Sequence, residues 1–363
     1  MFVGRHEARI PLNAEGGELS GRISLRCVLR LVCIVCADMN YERYCSRPDD
    51  ELAARDVAVV NLSAAVGLPG SKSLNISAAL ARLDRWAELV GLNTNHWRPR
   101  FVPEEDCRTD AEFRMMAMVT LLQRDIGVKY NPARMAGPFN SLDSRDSFLH
   151  GPLTGHGGTC SSLPILYLAI GRRLGYPLKL VHTIRHSFIR WDDLQGERFN
   201  VECAGVGFHR RDDEHYRQWP EPFTEAENAD AFYLTNLTPR QELAAFVGDR
   251  AHCLLDNLRL DEALEAYFYA TKLEPRYKLH WALATMMHRI IVNLRSKKLS
   301  PLFPFPAAID LASRISVEPW ERSLLEEARK DLHRIALLHE QRRVAQLELA
   351  FIRTAVPSLL QKE

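Results

Sequence analysis

Neither sign of charge dominates this chain: 47 Lys and Arg stand against 46 Asp and Glu over 363 residues, a formal net charge of +1. Proteins that hold nucleic acid by its phosphates carry a concentrated positive field, and the overall balance here provides none. Nucleic acid is therefore not an expected partner. Long apolar runs are also missing. The longest, Ile23 to Met39, is interrupted by Arg26 and Arg30 and falls short of the roughly 20 residues of a membrane span. It reads as a buried strand or helix, or as an extension from a misplaced start codon, ahead of a signal or membrane anchor.

Regular cysteine spacing is the third absence. The eight Cys are scattered, unlike the dense framework of a small secreted scaffold, and a reducing cytoplasm is the expected compartment. Cys33 and Cys36 have C-x-x-C spacing, but no second pair or nearby His completes a zinc site. No metal and no cofactor is expected. The apolar and charged fractions, 46% and 26%, are those of an ordinary globular protein, and the length allows two or three domains of roughly 150 residues.

Punctuation divides the chain into an extension of unreadable role at 1–48, closed by Ser46-Arg47-Pro48, a mixed domain at 49–235 and a helical region at 236–363. In the second part, DDELAARDVAVVNLSAAVGL reads as one helix with an acidic first turn, ending at Gly67. LNISAALARLDRWAELVGL places Leu80, Leu83, Trp86 and Val90 at helical spacing, and DAEFRMMAMVTLLQRDIGV repeats the pattern with Phe113, Met116 and Leu121. After the YNPARMAGP break, a linker rich in Gly, Asn, Asp and Ser runs to Gly158. Such a loop can wall a cleft.

The densest information lies in GTCSSLPILYLAIGRRLGYPLKL, Gly158 to Leu180. Leu163, Leu166, Ile170 and Leu174 recur at helical intervals, Pro164 occupies the tolerated first turn, and Gly175 closes the helix. Cys160 thus stands at a helix start, where unpaired N–H groups and positive potential favour thiolate. Two strands are expected next, LKLVHTIRHSFIRW and ERFNVECAG, joined antiparallel through DDLQGE. On a period of two, His186 shares a face with Phe188, and Glu202 with Asn200.

Cysteine, histidine and acid in that order outline a mechanism. His186 takes the thiol proton of Cys160, and Glu202 orients and stabilises the resulting imidazolium. Attack on an amide or ester carbonyl produces an oxyanion, for which the Cys160 N–H is one candidate donor. Asn200 is the rival third member, as Asn serves in papain-like enzymes. Asp192 and Asp193 read as solvated turn formers. His182, four residues before His186, would suit a helical metal pair but falls in a strand, and His156 either lines the cleft or belongs to a Gly-rich loop. GLPGSKS, Gly67 to Ser73, lacks the spacing of a phosphate loop.

These motifs resemble the transglutaminase-like superfamily: GTCSSLPILYLAIGRRLGYP matches its cysteine helix, HSFIRW its histidine strand and RFNVE its acid strand. The similarity covers about Asp49 to Trp219 and is sharpest from Gly155 to Glu202. It implies an α+β fold with a papain-like Cys-His-acid domain on an antiparallel sheet. It also implies Cys160 as nucleophile, His186 as base and acid, and Glu202 as third member where the family usually has Asp. The implied activity is that of a cysteine peptidase-like amide hydrolase or acyltransferase acting on a peptide or protein.

Past Pro222 the chain is helical again. Arg250 to Tyr277 reads as two short helices separated by Asn257 to Leu260. Ala251, Leu254, Ala263, Tyr267, Ala270 and Pro275 follow the spacing of one tetratricopeptide repeat of about 34 residues, with Arg250 where an aliphatic is usual. A further amphipathic helix is expected from Glu321 to Thr354. The combination is closest to bacterial transglutaminase-like proteins with helical repeats. It leaves open a non-enzymatic scaffold that binds a protein partner through the repeat helices, or a redox-sensitive relative using Cys160 without turnover.

Overall fold

The computed structural model describes residues 41–284, apart from 104–106, 136–140, 194, 226–227, 229–231, 258, 278–279 and 281–282. The Cys33/Cys36 pair, the apolar run at 23–39 and the helix expected at 321–354 lie outside the described residues.

Short helices α1 (Glu42–Cys45) and α2 (Asp49–Ala53) lead into α3 (Val57–Ala65) and the long α4 (Ile76–Trp97). Then follow α5 (Asp110–Thr120), two single-turn helices, α6 (Ser144–Ser147) and α7 (His150–Leu153), and α8 (Ser162–Arg173). Strands β1 (Leu178–Thr183), β2 (His186–Asp192), β3 (Arg198–Val201) and β4 (Arg210–Arg211) form one antiparallel sheet in the order β1-β2-β3-β4. Helices α9 (Asp213–Gln218), α10 (Pro239–Asp256) and α11 (Leu260–Leu273) complete an α+β arrangement.

Helix α8 is the centre of the core. Every residue from Ser162 to Gly171 is buried, because SLPILYLAIG is apolar on nearly all sides and leaves no polar face for water. It packs on α3, α4 and α7 and on the sheet through β1 and β2. Burying each of its Leu and Ile side chains contributes about 1.5–3 kcal/mol. Its last carbonyls are satisfied by a Schellman turn: Gly175 adopts φ +73°, and the N–H groups of Gly175 and Tyr176 reach Arg172 O and Gly171 O.

The single helix expected over 49–67 is two. Asp56 takes an extended conformation and its carboxylate accepts from Ala58 N–H at 2.9 Å, which ends α2 and starts α3 with a side-chain cap. The helix expected at 110 is present, opened by a Thr109/Glu112 capping box, and its last turn widens to a π-turn over Leu121–Asp125. The expected pair of strands is also corrected. LKLVHTIRHSFIRW folds back on itself, with Thr183 paired to His186 across a turn at Ile184 and Arg185, and Arg185 supplies the left-handed backbone at φ +58°.

The free edge of β1 is covered. Leu234 N–H donates to His182 O at 2.9 Å and Leu237 N–H to Leu180 O at 3.0 Å, so the connection into α10 occupies backbone groups that an open edge would leave to another chain. Beneath the sheet, Val181, Phe188, Tyr216, Phe223 and Leu234 make a cluster in which the Phe188 and Tyr216 rings stack 3.8 Å apart.

Helix α10 begins at Pro239 behind a Thr238/Gln241 capping box, a full three turns earlier than Arg250, and it packs on α2, α3 and α11. Arg250, expected to be aliphatic if the helices follow a tetratricopeptide spacing, is buried. Its guanidinium donates to Ala64 O (2.9 Å) and Val66 O (2.7 Å), carbonyls at the C-terminal end of α3, and lies 4.7 Å over the Tyr41 ring. Arg172 of α8 makes a two-pronged ion pair with Glu242 of α10, at 2.9 and 2.5 Å.

Candidate active site

Thr159 sets the start of α8. Its carbonyl accepts from Leu163 N–H at 2.9 Å, and its hydroxyl accepts from Ser161 N–H at 3.1 Å while donating to Asp146 O at 2.7 Å. Cys160 therefore sits in the turn that leads into α8, two residues before Ser162, and is partly exposed. The described cysteines are all free thiols. Burial pushes the thiols of Cys45 and Cys253 up to about 12 and that of Cys203 well above its ordinary value, so these three stay protonated at neutral pH.

The sulfur of Cys160 faces the β1–β2 turn. The Arg185 carbonyl is 3.9 Å from Sγ, and the imidazole of the next residue, His186, lies within hydrogen-bonding reach of the thiol. His186 opens β2 and is buried. Its Nε2 stands 2.9 Å from Glu202 Oε2. Burial alone would lower the imidazole pKa. The contacts with Cys160 and Glu202 outweigh it and push His186 up to about 9.

Glu202 follows β3 directly. Besides His186 it accepts from the Tyr216 hydroxyl at 3.0 Å and, through Oε1, from Ala204 N–H at 2.7 Å. Burial raises the pKa of this carboxyl, and the His186 contact, the Ala204 N–H and the Tyr216 hydroxyl together more than reverse that, so Glu202 is held below the usual carboxylate range. An anion and an imidazolium are thereby stabilised side by side, with the Cys160 thiol interacting with the same ring.

Asn200 is placed elsewhere. The β2–β3 register pairs it with Arg190, and its side chain accepts from Arg190 Nε at 2.7 Å and donates to Arg211 O at 2.9 Å and Asp213 at 2.8 Å. It lies within β3, two residues before Glu202, and none of these partners is shared with that carboxylate. Arg190, with no exposed surface, also holds Leu234 O and Asp213. His182 pairs with Ser187 across the β1–β2 ladder, and burial lowers its pKa to about 4. His156 binds Asp146 at 3.0 Å. Asp193 organises its hairpin turn by accepting from Gln195 and Glu197 N–H, both at 2.9 Å.

Tyr216 and Trp219 had no role in the sequence reading. They sit three apart in DEHYRQW, on α9 and immediately after it, a helical spacing that puts both against the imidazole. The Tyr216 ring lies 6.1 Å from that of His186, and the Trp219 ring meets it edge-on at 4.7 Å. Trp219 itself is 44% exposed. Among the described residues, no group of three His, Cys, Asp or Glu side chains is arranged to hold a metal ion, and no helix is long and apolar enough to cross a membrane.

A helix-start thiol, an imidazole and a carboxylate in series can generate a thiolate, deliver a proton to a leaving group and keep the imidazole in one tautomer. No protein-family model and no curated protein sequence matches this chain.

Proposed function

We propose that Cys160, His186 and Glu202 form the catalytic triad of a thiol-dependent amide hydrolase or acyltransferase of the transglutaminase-like type, acting on a peptide or protein. One observation carries the reading: His186 reaches the Cys160 thiol on one side and Glu202 on the other. The thiolate attacks the carbonyl carbon and the carbonyl electron pair moves onto oxygen. Collapse breaks the C–N bond, and the leaving amine takes the proton carried by His186. Water or a second amine then attacks the thioester, returning a proton to His186 and the thiolate to Cys160.

The Glu in place of the family's usual Asp is accommodated by its neighbours. A carboxylate one methylene longer has more rotamers, and Tyr216 and Ala204 both bind it, which fixes one of them. Iodoacetamide should alkylate Cys160, located by peptide mapping, at least about tenfold faster at pH 7 in the native protein than in His186→Ala. Equal rates would remove the activated thiol and the reading with it.

A further inference from the structure

Two stretches outside the sheet meet beside the nucleophile. Tyr130 bridges to Gly158 in parallel: Gly158 N–H donates to Lys129 O at 3.0 Å, and Asn131 N–H donates to Gly158 O at 2.8 Å. Asp146, whose side chain has no exposure, fastens both stretches. Its carboxylate accepts from Arg134 Nε (2.7 Å) and Asn131 Nδ2 (3.2 Å) on one and pairs with His156 Nε2 (3.0 Å) on the other, while its carbonyl takes the Thr159 hydroxyl. The backbone of Tyr130 is thus fixed beside a residue two positions before Cys160. Its half-buried phenol interacts with the Cys160 backbone N–H and with the ionisable groups of Cys160, Asp146 and Glu202.

We propose that Tyr130 is a further catalytic residue of this thiol site, its hydroxyl and the Cys160 backbone N–H together forming the pair of donors that receives the oxyanion. The inference rests on the acyl-transfer reading of Cys160. A carbonyl oxygen entering beside the sulfur exchanges the contact between N–H and phenol for two donors aimed at one point. When the S–C bond forms, the electron pair displaced onto oxygen is met by an O–H and an N–H in a partly buried setting, where such contacts are strongest. The phenol keeps its proton for this role. Burial raises its pKa, and the neighbouring Cys160, Asp146 and Glu202 charges raise it further, against the lowering effect of the Cys160 N–H.

The test compares two reagents on the full chain. p-Nitrophenyl acetate acylates Cys160 through a tetrahedral oxyanion, whereas iodoacetamide alkylates it by direct displacement with no such intermediate. Tyr130→Phe keeps the ring and removes only the donor. It should slow the acylation burst by roughly 10²-fold while Cys160 alkylation stays within about twofold of wild type. Acylation at the wild-type rate overturns the role of Tyr130 and leaves the triad standing. Slowing of both reactions by the same factor also overturns it, since the hydroxyl would then be acting on the thiolate. Wild-type protein that is alkylated at Cys160 but never acylated sinks the acyl-transfer reading and this inference together.

Discussion

Glu202 Oε2 lies 2.9 Å from His186 Nε2, so a carboxylate held below its usual range faces an imidazole pushed up to about 9. The same pair governs how the fold responds to pH. His186 is protonated up to about pH 9 in the folded chain and up to about 6.5 in the unfolded one. Its pairing therefore stabilises fully below 6.5 and is lost as pH rises through 9. On the acid side the contribution of Glu202 is present above its ordinary 4.5 and is lost as pH falls through its lowered folded value. Thermal unfolding from pH 4 to 10 should show a plateau falling at both ends, with the alkaline loss on the order of 3 kcal/mol. Cys160→Ala should narrow the alkaline window without abolishing it, because Glu202 remains. An unchanged alkaline limb in Glu202→Gln would show that the pair does not carry the effect.

The two acid-strand candidates separate cleanly in their expected phenotypes. Glu202→Gln should leave the protein folded but slow Cys160 alkylation at pH 7 by about tenfold or more, since the imidazolium loses its counter-ion. Asn200→Ala should do the reverse. It strands the buried Arg190 Nε and costs about 2 kcal/mol in urea unfolding, while the alkylation rate stays near wild type. Exchange of these two outcomes would make Asn200 the third member.

The ion pair between Arg172 and Glu242 joins α8 to α10, and the Glu242 side chain is only 4% exposed. Arg172→Ala leaves that carboxylate buried without its partner and should destabilise by about 3 kcal/mol. The double replacement Arg172→Met with Glu242→Met should recover most of the loss. A double variant as unstable as the single one would mean that the pair's worth lies in its hydrogen bonds rather than in relief of an unpaired charge.

Gly157 adopts φ +86°, and a methyl group there would stand 2.9 Å from Asn131 Cα. Gly157→Ala must both strain its own backbone and push the Tyr130–Asn131 stretch away from the nucleophile loop. Circular dichroism melts should show about 1–3 kcal/mol of destabilisation. The acylation burst with p-nitrophenyl acetate should fall more steeply than iodoacetamide alkylation. A parallel fall in both would count against a specific displacement of Tyr130.

The parts of this site that follow chain periodicity were readable before the structure. Pro164 in a first turn and Gly175 after a last one frame a helix with Cys160 beside its start, and alternation puts Asn200 and Glu202 on one face. The different surroundings of the two were not legible, because they depend on the strand register, which pairs Asn200 with Arg190. The β1–β2 turn escaped notice because IleArg lacks the Gly or Asn that usually marks a left-handed turn residue, and Arg185 takes that conformation itself. Asp146 escaped for another reason. The four-residue helices SRDS and HGPL are too short for any hydrophobic period, so a fully buried carboxylate sat inside what read as a polar loop.

The strip of backbone from Leu234 to Leu237 has a practical bearing on how the protein can be handled. Because it lies along β1 and then enters α10, a truncation ending at 235 would remove the Leu237 N–H from Leu180 O, open a row of unpaired groups on the sheet and take Glu242 away from Arg172. Fragments cut at that point should self-associate through the bared strand, whereas fragments carried through Leu273 retain both the cover and the ion pair.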